Sequence, residues 1–442
     1  MRTRILNIWH SFRASYWFIP TIMTILAIIV AVITTTIDAT LPEADAQHLE
    51  WLYKGGSEGA RTILSTVAGS MITIAGVVFS ITVVVLSLTS TQFGPRLLSN
   101  FMRDTGTQVV FGVFIATFVY CLFVLRLVRS VDSFSFTPHL SVTFAFLMAL
   151  AGSAVLIYFI HHIAAAIQAD SIITAVYRDL EAVIDRLFPE ENVTYEQEAD
   201  LKAVTEALPA DFERLALQDR SKMSGYLQAI DLNGLEQTAR NHDLILRIHC
   251  KPGDFVTQGA VLASIWPPSN WTPEISSFLT DAFLLGRQRT QEQDVEYLLK
   301  QLVEIALRAL SPGINDPFTA ITCIDWLSAA VGRISERKFP QTLRYDDDGK
   351  LRLVLVPVSY AGIVNAAFGQ LRLAAMDYLQ VTLRLLDALM SIAPNTRTKE
   401  QRTVLANCAR LLLQSSSNEM WVDDDRWDIN ERFRLTIEAL EK

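Results

Sequence analysis

Three short stretches of this chain place polar or titratable side chains where chemistry is conceivable. The first is "SPGINDP", Ser311 to Pro317, set between the apolar runs "LVEIALRAL" and "FTAITCIDWLSAAV". Pro312 stops the first helix, and Gly313 is expected to take the backbone angles of a tight corner. Asp316 before Pro317 suits an N-cap followed by proline in the first helical position. Asn315 is left over, free to bond backbone across the corner or to face a ligand, so the trio Gly313, Asn315 and Asp316 reads as either a structural or a functional corner. The second stretch is "RQRTQEQD", whose Arg287, Arg289 and Asp294 form a polar cluster. They are expected on a helix antiparallel to the one after the corner, able to meet a stalk helix or a neighbouring subunit. The third is His161-His162 in "FIHHIA". Adjacent residues on a helix point about 100° apart, which makes a poor metal pair. The readings left are interfacial anchoring or packing at the helix C-terminus, and a pH-sensitive junction, since imidazole titrates near neutrality.

Standard catalytic signatures are missing. There is no GxSxG, HExxH or P-loop and no Cys/His set, so no catalytic residue is named and an enzyme is the weakest of the function classes. Cys121, Cys250, Cys323 and Cys408 are scattered without CxxC spacing, which argues against structural disulfides and zinc. The two "DDD" runs lack the alternating spacing of a calcium loop and read as solvated turns. No metal and no cofactor is expected.

The elements that must position these residues begin with membrane spans. Of 442 residues 50% are hydrophobic and 19% charged, against about 25% charged in ordinary soluble domains. Four apolar runs, at about 16–37, 63–90, 108–128 and 140–163, are each long enough to cross a hydrocarbon core of about 30 Å. The first exceeds the roughly 7–15 residues of a signal-peptide core, so it reads as an uncleaved span. Arg2, Arg4 and Arg13 precede it, the first loop (38–60) is acidic, and Arg96 and Arg103 lie in the second loop. Arg126 and Arg129 in the third loop weaken the pattern, but the best fit puts both termini inside. Residues 1–165 hold nine basic and seven acidic side chains, and the remainder holds 29 and 40. An acidic soluble part argues against nucleic acid.

The second span is unusual. Thr66, Thr73, Ser80 and Ser87 recur every seven residues, flanked by Gly69, Ser70 and Gly76, with Thr82 and Thr89 off the pattern. This makes one small, weakly polar stripe on an otherwise Val/Ile/Leu surface. It serves either close helix packing, where small residues let backbones approach, or a water-lined path. No charged side chain lies between Ile63 and Leu88, which argues against an ion-coupled transporter.

Beyond the spans, the fourth helix is expected to run on as an amphipathic stalk, giving a stalk and connector over 166–220. A small β-rich subdomain is expected over 221–270, and a mainly helical domain over 271–442. "LILRIHC" and "AVLASIW" read as strands joined by "KPGDFVTQG". This unit looks like the strand–turn–strand of biotinyl- or lipoyl-like half-barrels. The modifiable lysine is absent, so an ordinary structural hairpin is the alternative. "PEISSFLTDAFLLG" reads as one helix, the "RQRTQEQD" run as the start of the next, and "LRYDDDGKLRLVLVPVS" as a hairpin turning at Asp348-Gly349. Long helices are expected over 359–392 and 399–414, with a last one near the C-terminus. The fold class is mostly α: a four-helix transmembrane region plus a cytoplasmic α+β domain with a small β unit and helical hairpins.

At "GSMITIAGVVFSITVVVLSLTSTQFGPRLL", "FIHHIA", "SGYLQAID", "RTQEQD" and "QLVEIALRALSPGINDPFTA" the chain resembles an uncharacterised bacterial family of four-pass predicted membrane proteins. The resemblance implies four spans and a cytoplasmic domain, and supplies no activity or catalytic residues; the location expected is the bacterial inner membrane. Two functions remain. One is a homo-oligomeric channel or permeation protein, with the lipid bilayer, further copies of itself and ions as partners. The other is a membrane-anchored sensor or scaffold that binds a small ligand or a protein.

Overall fold

The computed structural model describes residues 16–40, 53, 55–97, 101–102, 104–131, 134–190, 201–416 and 421–442. Arg2, Arg4, Arg13, Arg103 and most of the first loop lie outside them, as does much of the connector. The chain divides into two compact units, Met1–Ser171 and Ile172–Lys442.

The first unit holds four helices long and apolar enough to span a membrane: α1 (Phe18–Thr40), α2 (Ser57–Gln92), α3 (Thr105–Leu127) and α4 (His139–Ala166). A short hairpin of β1 (Arg129–Val131) and β2 (Phe134–Phe136) joins α3 to α4. The 36 residues of α2 make a helix about 54 Å long at about 1.5 Å per residue. α3 is the central helix and packs against the other three. α2 meets the bundle through Ala60, Leu64, Ala68, Met71, Ala75, Val78, Thr82, Val85 and Thr89, a seam with steps of three or four residues. The close helix approaches fall at Gly112, where an added Cβ would stand 3.3 Å from Pro20 Cα, and at Gly152, beside Met71 and Phe114. At one end of the bundle Asp38 accepts from the Leu140 and Ser141 amides at 2.8 and 2.9 Å. It thus caps α4 from α1. The buried Tyr120 hydroxyl lies 3.0 Å from Thr34 Oγ1 and donates to Ser141 O at 3.1 Å.

The expected unbroken stalk is interrupted. α4 ends at Ala166, and α5 (Ala169–Leu187) starts after a turn at Ile167–Gln168. α5 is amphipathic, as expected, but its apolar face is buried within the second unit. Tyr177 packs at a tilt of 43° on Trp326 with centroids 4.4 Å apart, and Arg333 reaches Glu181 and Asp185 at 2.6 and 2.8 Å.

Short helices α6 (Leu201–Ala207) and α7 (Phe212–Leu215) lead into the β region. Its elements are β3 (Leu217–Arg220), β4 (Gly225–Ile230), α8 (Leu232–Asn241), β5 (Ile245–Ile248), β6 (Phe255–Val256), β7 (Val261–Trp266), α9 (Pro273–Ala282) and β8 (Phe283–Gly286). One sheet has the order β6-β4-β8. The other has the order β3-β7-β5-β10-β9, completed from far along the chain by β9 (Leu343–Tyr345) and β10 (Leu351–Val354). β10 runs parallel to β5, and the other pairs are antiparallel. The β region is therefore wider than 221–270. Leu227, Leu235, Leu246, Ala263, Leu279 and Leu353 share its core. β5 and β7 pair as expected, but the turn between them adds β6 to the other sheet, so the unit is not a simple hairpin.

The helical part comprises α10 (Val295–Ala309), α11 (Pro317–Ser335), α12 (Tyr360–Val364), α13 (Gln370–Ala374), α14 (Leu379–Ile392), α15 (Lys399–Ser415) and α16 (Asp423–Glu441). The single helix expected over 359–392 is instead broken. A π-helical turn occupies Asn365–Gly369, and a 3-10 turn at Ala375–Asp377 precedes α14. The β9–β10 turn sits at Gly349, φ 74°. Asp346 is not a solvated turn residue: it is buried, accepts from the Asp348 and Lys350 amides, and pairs with Arg352 at 2.7 Å.

Candidate functional site

The small and hydroxylic stripe of α2 lies opposite the buried seam. Thr66, Gly69, Ser70, Thr73, Gly76, Ser80 and Ser87 are all exposed, and nothing lies within 4 Å of a Cβ built on Gly69 or Gly76. Thr82 and Thr89, off the stripe in sequence, belong to the buried seam. The stripe is not continuous. Val77 and Val84, 52% and 54% exposed, fall on the same face at about 100° per residue. Thr73 Oγ1 donates to Gly69 O one turn back at 2.8 Å, as hydroxyls on apolar helices commonly do.

The two adjacent histidines separate. His161 is exposed, while His162 Nε2 lies 2.8 Å from Asp104 Oδ2 and its ring stacks on Tyr158 at 5.3 Å. Asp104 is the N-cap of α3, accepting from the Thr107 amide at 2.9 Å and the Thr107 hydroxyl at 2.6 Å. Burial pushes this carboxyl up, but Thr107 and His162 outweigh it and hold Asp104 below the usual carboxylate range. Gly106 leaves room for the pair: a Cβ there would stand 2.7 Å from His162 Nε2. The junction is a tie between the start of α3 and the end of α4.

At the corner Asp316 caps α11, accepting from the Thr319 amide at 3.1 Å, with Pro317 as first helical residue. The strained position is not Gly313. Asn315 has φ 53°, and Gly313 has no positive φ and open space around it. Asparagine tolerates the left-handed region better than other residues with a Cβ. Its Oδ1 accepts from the Tyr378 hydroxyl at 3.1 Å, and the same hydroxyl reaches Leu310 O at 3.0 Å. Ile314 and Phe318 stand out from the corner, 43% and 71% exposed.

Arg287 and Arg289 do not lie on a helix. The chain after α9 becomes β8, because Phe283 to Gly286 pair with β4, and α10 starts only at Val295. The loop between them is a clasp. Gln293 exchanges both hydrogen bonds with the backbone of Ile230, at 2.9 and 3.2 Å. Arg186 of α5 bonds Glu292 O. Asp294, almost fully buried, caps α10 through the Tyr297 amide at 3.0 Å and pairs with Arg289 Nε at 2.9 Å. Burial raises the Asp294 carboxyl, and Arg289 offsets this only in part. Arg287 takes no part in this pair. Gly253, φ 95°, passes so close that a Cβ there would stand 2.2 Å from Asp294 Oδ2.

A further group of three, Lys251, Glu296 and Lys300, is not singled out by any motif. Lys251 Nζ lies 2.7 Å from Glu296 Oε1, and Lys300 Nζ lies 3.1 Å from Glu296 Oε2. Only the Glu296–Lys300 spacing of four hints at this group. Asp104 had a readable cue, an acid followed by "TGT" at the start of an apolar run. Among the described residues no group of three or more His, Cys, Asp or Glu is arranged to hold a metal.

Residues 13–391 match the family described as predicted membrane protein, DUF2254. Uncharacterized protein Rv1290c of Mycobacterium tuberculosis and uncharacterized protein Mb1321c of Mycobacterium bovis are each 31% identical over 381 residues, covering 85% of this chain and 71% of the relative. No solved structure matches. Four apolar helices, a mixed α/β unit after them and this match along most of the chain place it: it belongs to the DUF2254 family of predicted membrane proteins.

Proposed function

We propose that the protein is a homo-oligomeric permeation protein of the bacterial inner membrane, with α2 of each copy turned toward a shared axis. The C-terminal unit and both termini would face the cytoplasm. The observation that carries this reading is the exposure of the α2 stripe. The chain's own packing uses the opposite Ala/Leu/Val seam and leaves Thr66, Gly69, Ser70, Thr73, Gly76, Ser80 and Ser87 outward. In lipid no hydrophobic gain drives helices together, so small residues matter where backbones approach, and hydroxyls where water or a neighbour meets them. Val77 and Val84 on the same face supply the apolar rings of a constriction that gates by dewetting. The solutes carried would be ions or small molecules.

The test is cysteine scanning in native membranes. Positions 73, 80 and 87 should react with a water-soluble thiol reagent, and the flanking positions Ile72 and Val83 should stay inert. Gly76→Leu should dissociate the assembly, because its side chain forces the backbones apart. A monomeric mass for the parent in lipid nanodiscs would end this reading. Cysteines at Ala46 and Asn430 should label from opposite sides of the membrane. The second reading is a membrane-anchored scaffold, favoured by the outward Ile314 and Phe318 of the corner. A monomer with intact partner capture would support it.

A further inference from the structure

A cavity of about 180 Å³ lies within the C-terminal unit, between the β5–β6 turn, the first turn of α10 and the chain just after β10. Phe188, Ile230, Ile248, Val295 and Val356 give it apolar walls. Its charged lining is Lys251, Asp294 and Glu296. An apolar cavity of about 150 Å³ is large enough to hold a benzene ring, so this space suits one ring or a short alkyl chain with a single polar head.

The sign of that head follows from the partners already in place. Asp294 is occupied by Arg289 and by the Tyr297 amide. Glu296 is occupied on one oxygen by Lys251 and on the other by Lys300. An incoming cation would be repelled by the Arg289, Lys251 and Lys300 side chains already paired to these carboxylates. The Lys251 ammonium has three donors, and among the described residues Glu296 is its one acceptor, so donors remain. Counting Arg289, Lys251 and Lys300 against Asp294, Glu296 and Asp254, whose carboxylate accepts from the Lys251 amide, the group is charge-balanced, so an incoming carboxylate meets no net negative charge.

We propose that this cavity binds a small amphipathic carboxylate, a short-chain or single-ring acid, with its apolar body against Phe188, Ile248 and Val356 and its carboxylate on the Lys251 ammonium. The site lies outside the α2 face, so the proposal goes beyond the permeation reading and holds for a gated path or a scaffold alike.

The test uses the full chain in lipid nanodiscs, because detergent chains would compete for the cavity. Hexanoate and benzoate are titrated calorimetrically, with hexylamine and hexanol as probes of opposite and zero charge. Saturable binding of at least one of the two acids, one per chain, is expected, with the amine and the alcohol weaker by about tenfold or more, the factor set by about 1.4 kcal/mol. Lys251→Met should weaken the acid by a similar factor, and Lys251→Arg should restore it. Val356→Trp, which fills the cavity and leaves Lys251 in place, should abolish binding. Hexylamine binding as tightly as the acids would overturn the proposal. So would acid binding unchanged in Val356→Trp, or no saturable binding of either acid up to about 10 mM, beyond the weak end of specific recognition.

Discussion

Asn315→Val probes the corner most directly. The backbone at Asn315 has φ 53°. Left-handed geometry costs a residue with a Cβ about 1–2 kcal/mol, and a β-branched side chain is the worst case. The variant also loses the oxygen that accepts from Tyr378 at 3.1 Å. A bond of that kind is worth about 0.5–1.5 kcal/mol. Tyr378 keeps Leu310 O at 3.0 Å, so its hydroxyl is not orphaned and the low end applies. The expected loss is about 1.5–2.5 kcal/mol. Gly313→Val should cost under about 0.5 kcal/mol, because the site is open, exposed and free of positive φ. Asn315→Gly should fall between, relieving the backbone while losing the Tyr378 bond. The assay is urea unfolding of the full chain in micelles, followed by tryptophan fluorescence, with Trp326 on the adjacent α11. If Gly313→Val destabilises more than Asn315→Val, the strain has been assigned to the wrong residue.

Two further outcomes follow from the partly buried pairs. Asp104→Ala removes the α3 cap and the partner of His162, and should cost about 0.5–2 kcal/mol near neutrality. Because the folded carboxyl titrates below its ordinary value, that contribution is complete above the unfolded value of about 4 and disappears as pH falls through the folded one. Parent and variant melting curves should therefore converge in acid, and a gap that persists at low pH would refute the assignment. Gly253→Ala should cost more than about 1–2 kcal/mol, since its Cβ would stand 2.2 Å from Asp294 Oδ2 at φ 95°. A melting point matching the parent's would show that the Arg289–Asp294 pair is not held against this turn.

The spans were legible because hydropathy is a property of the run itself and needs no partner. The inward face of α2 was not. Small and branched residues alternate around that helix, and the choice of face is made by α3, which also places the close approaches at Gly112 and Gly152. The N-cap at Asp316 is readable from Asp-Pro alone, but the pattern points to Gly313 as the left-handed residue, since glycine is the default for such geometry, and the structure puts it at Asn315. "RQRTQEQD" was misread for a related reason. Arg, Gln and Glu favour helix, yet the pairing of β8 with β4 and the Gln293 clamp on Ile230, 63 positions away, override that preference. The parallel β10–β5 pair, closed across more than a hundred residues, left no trace in local pattern.

The aspartates at the helix starts share one physical role, Asp294 and Asp316 of the sequence's polar clusters among them. Asp104, Asp231, Asp294 and Asp316 each accept an amide in the first turn of a helix, and Asp38 does the same across to α4. A buried helix start has unpaired donors, so an acid there is accounted for by the backbone before any ligand is invoked. His162 then ties the Asp104 cap to α4, and Arg289, five residues upstream in the same loop, holds the Asp294 cap. This argues against reading either pair as a reaction centre. Chemistry toward a ligand needs polar groups that keep capacity after such structural demands are met. By that criterion the Lys251 ammonium, with one acceptor among the described residues and an apolar cavity beside it, is a better candidate than any residue singled out by motif.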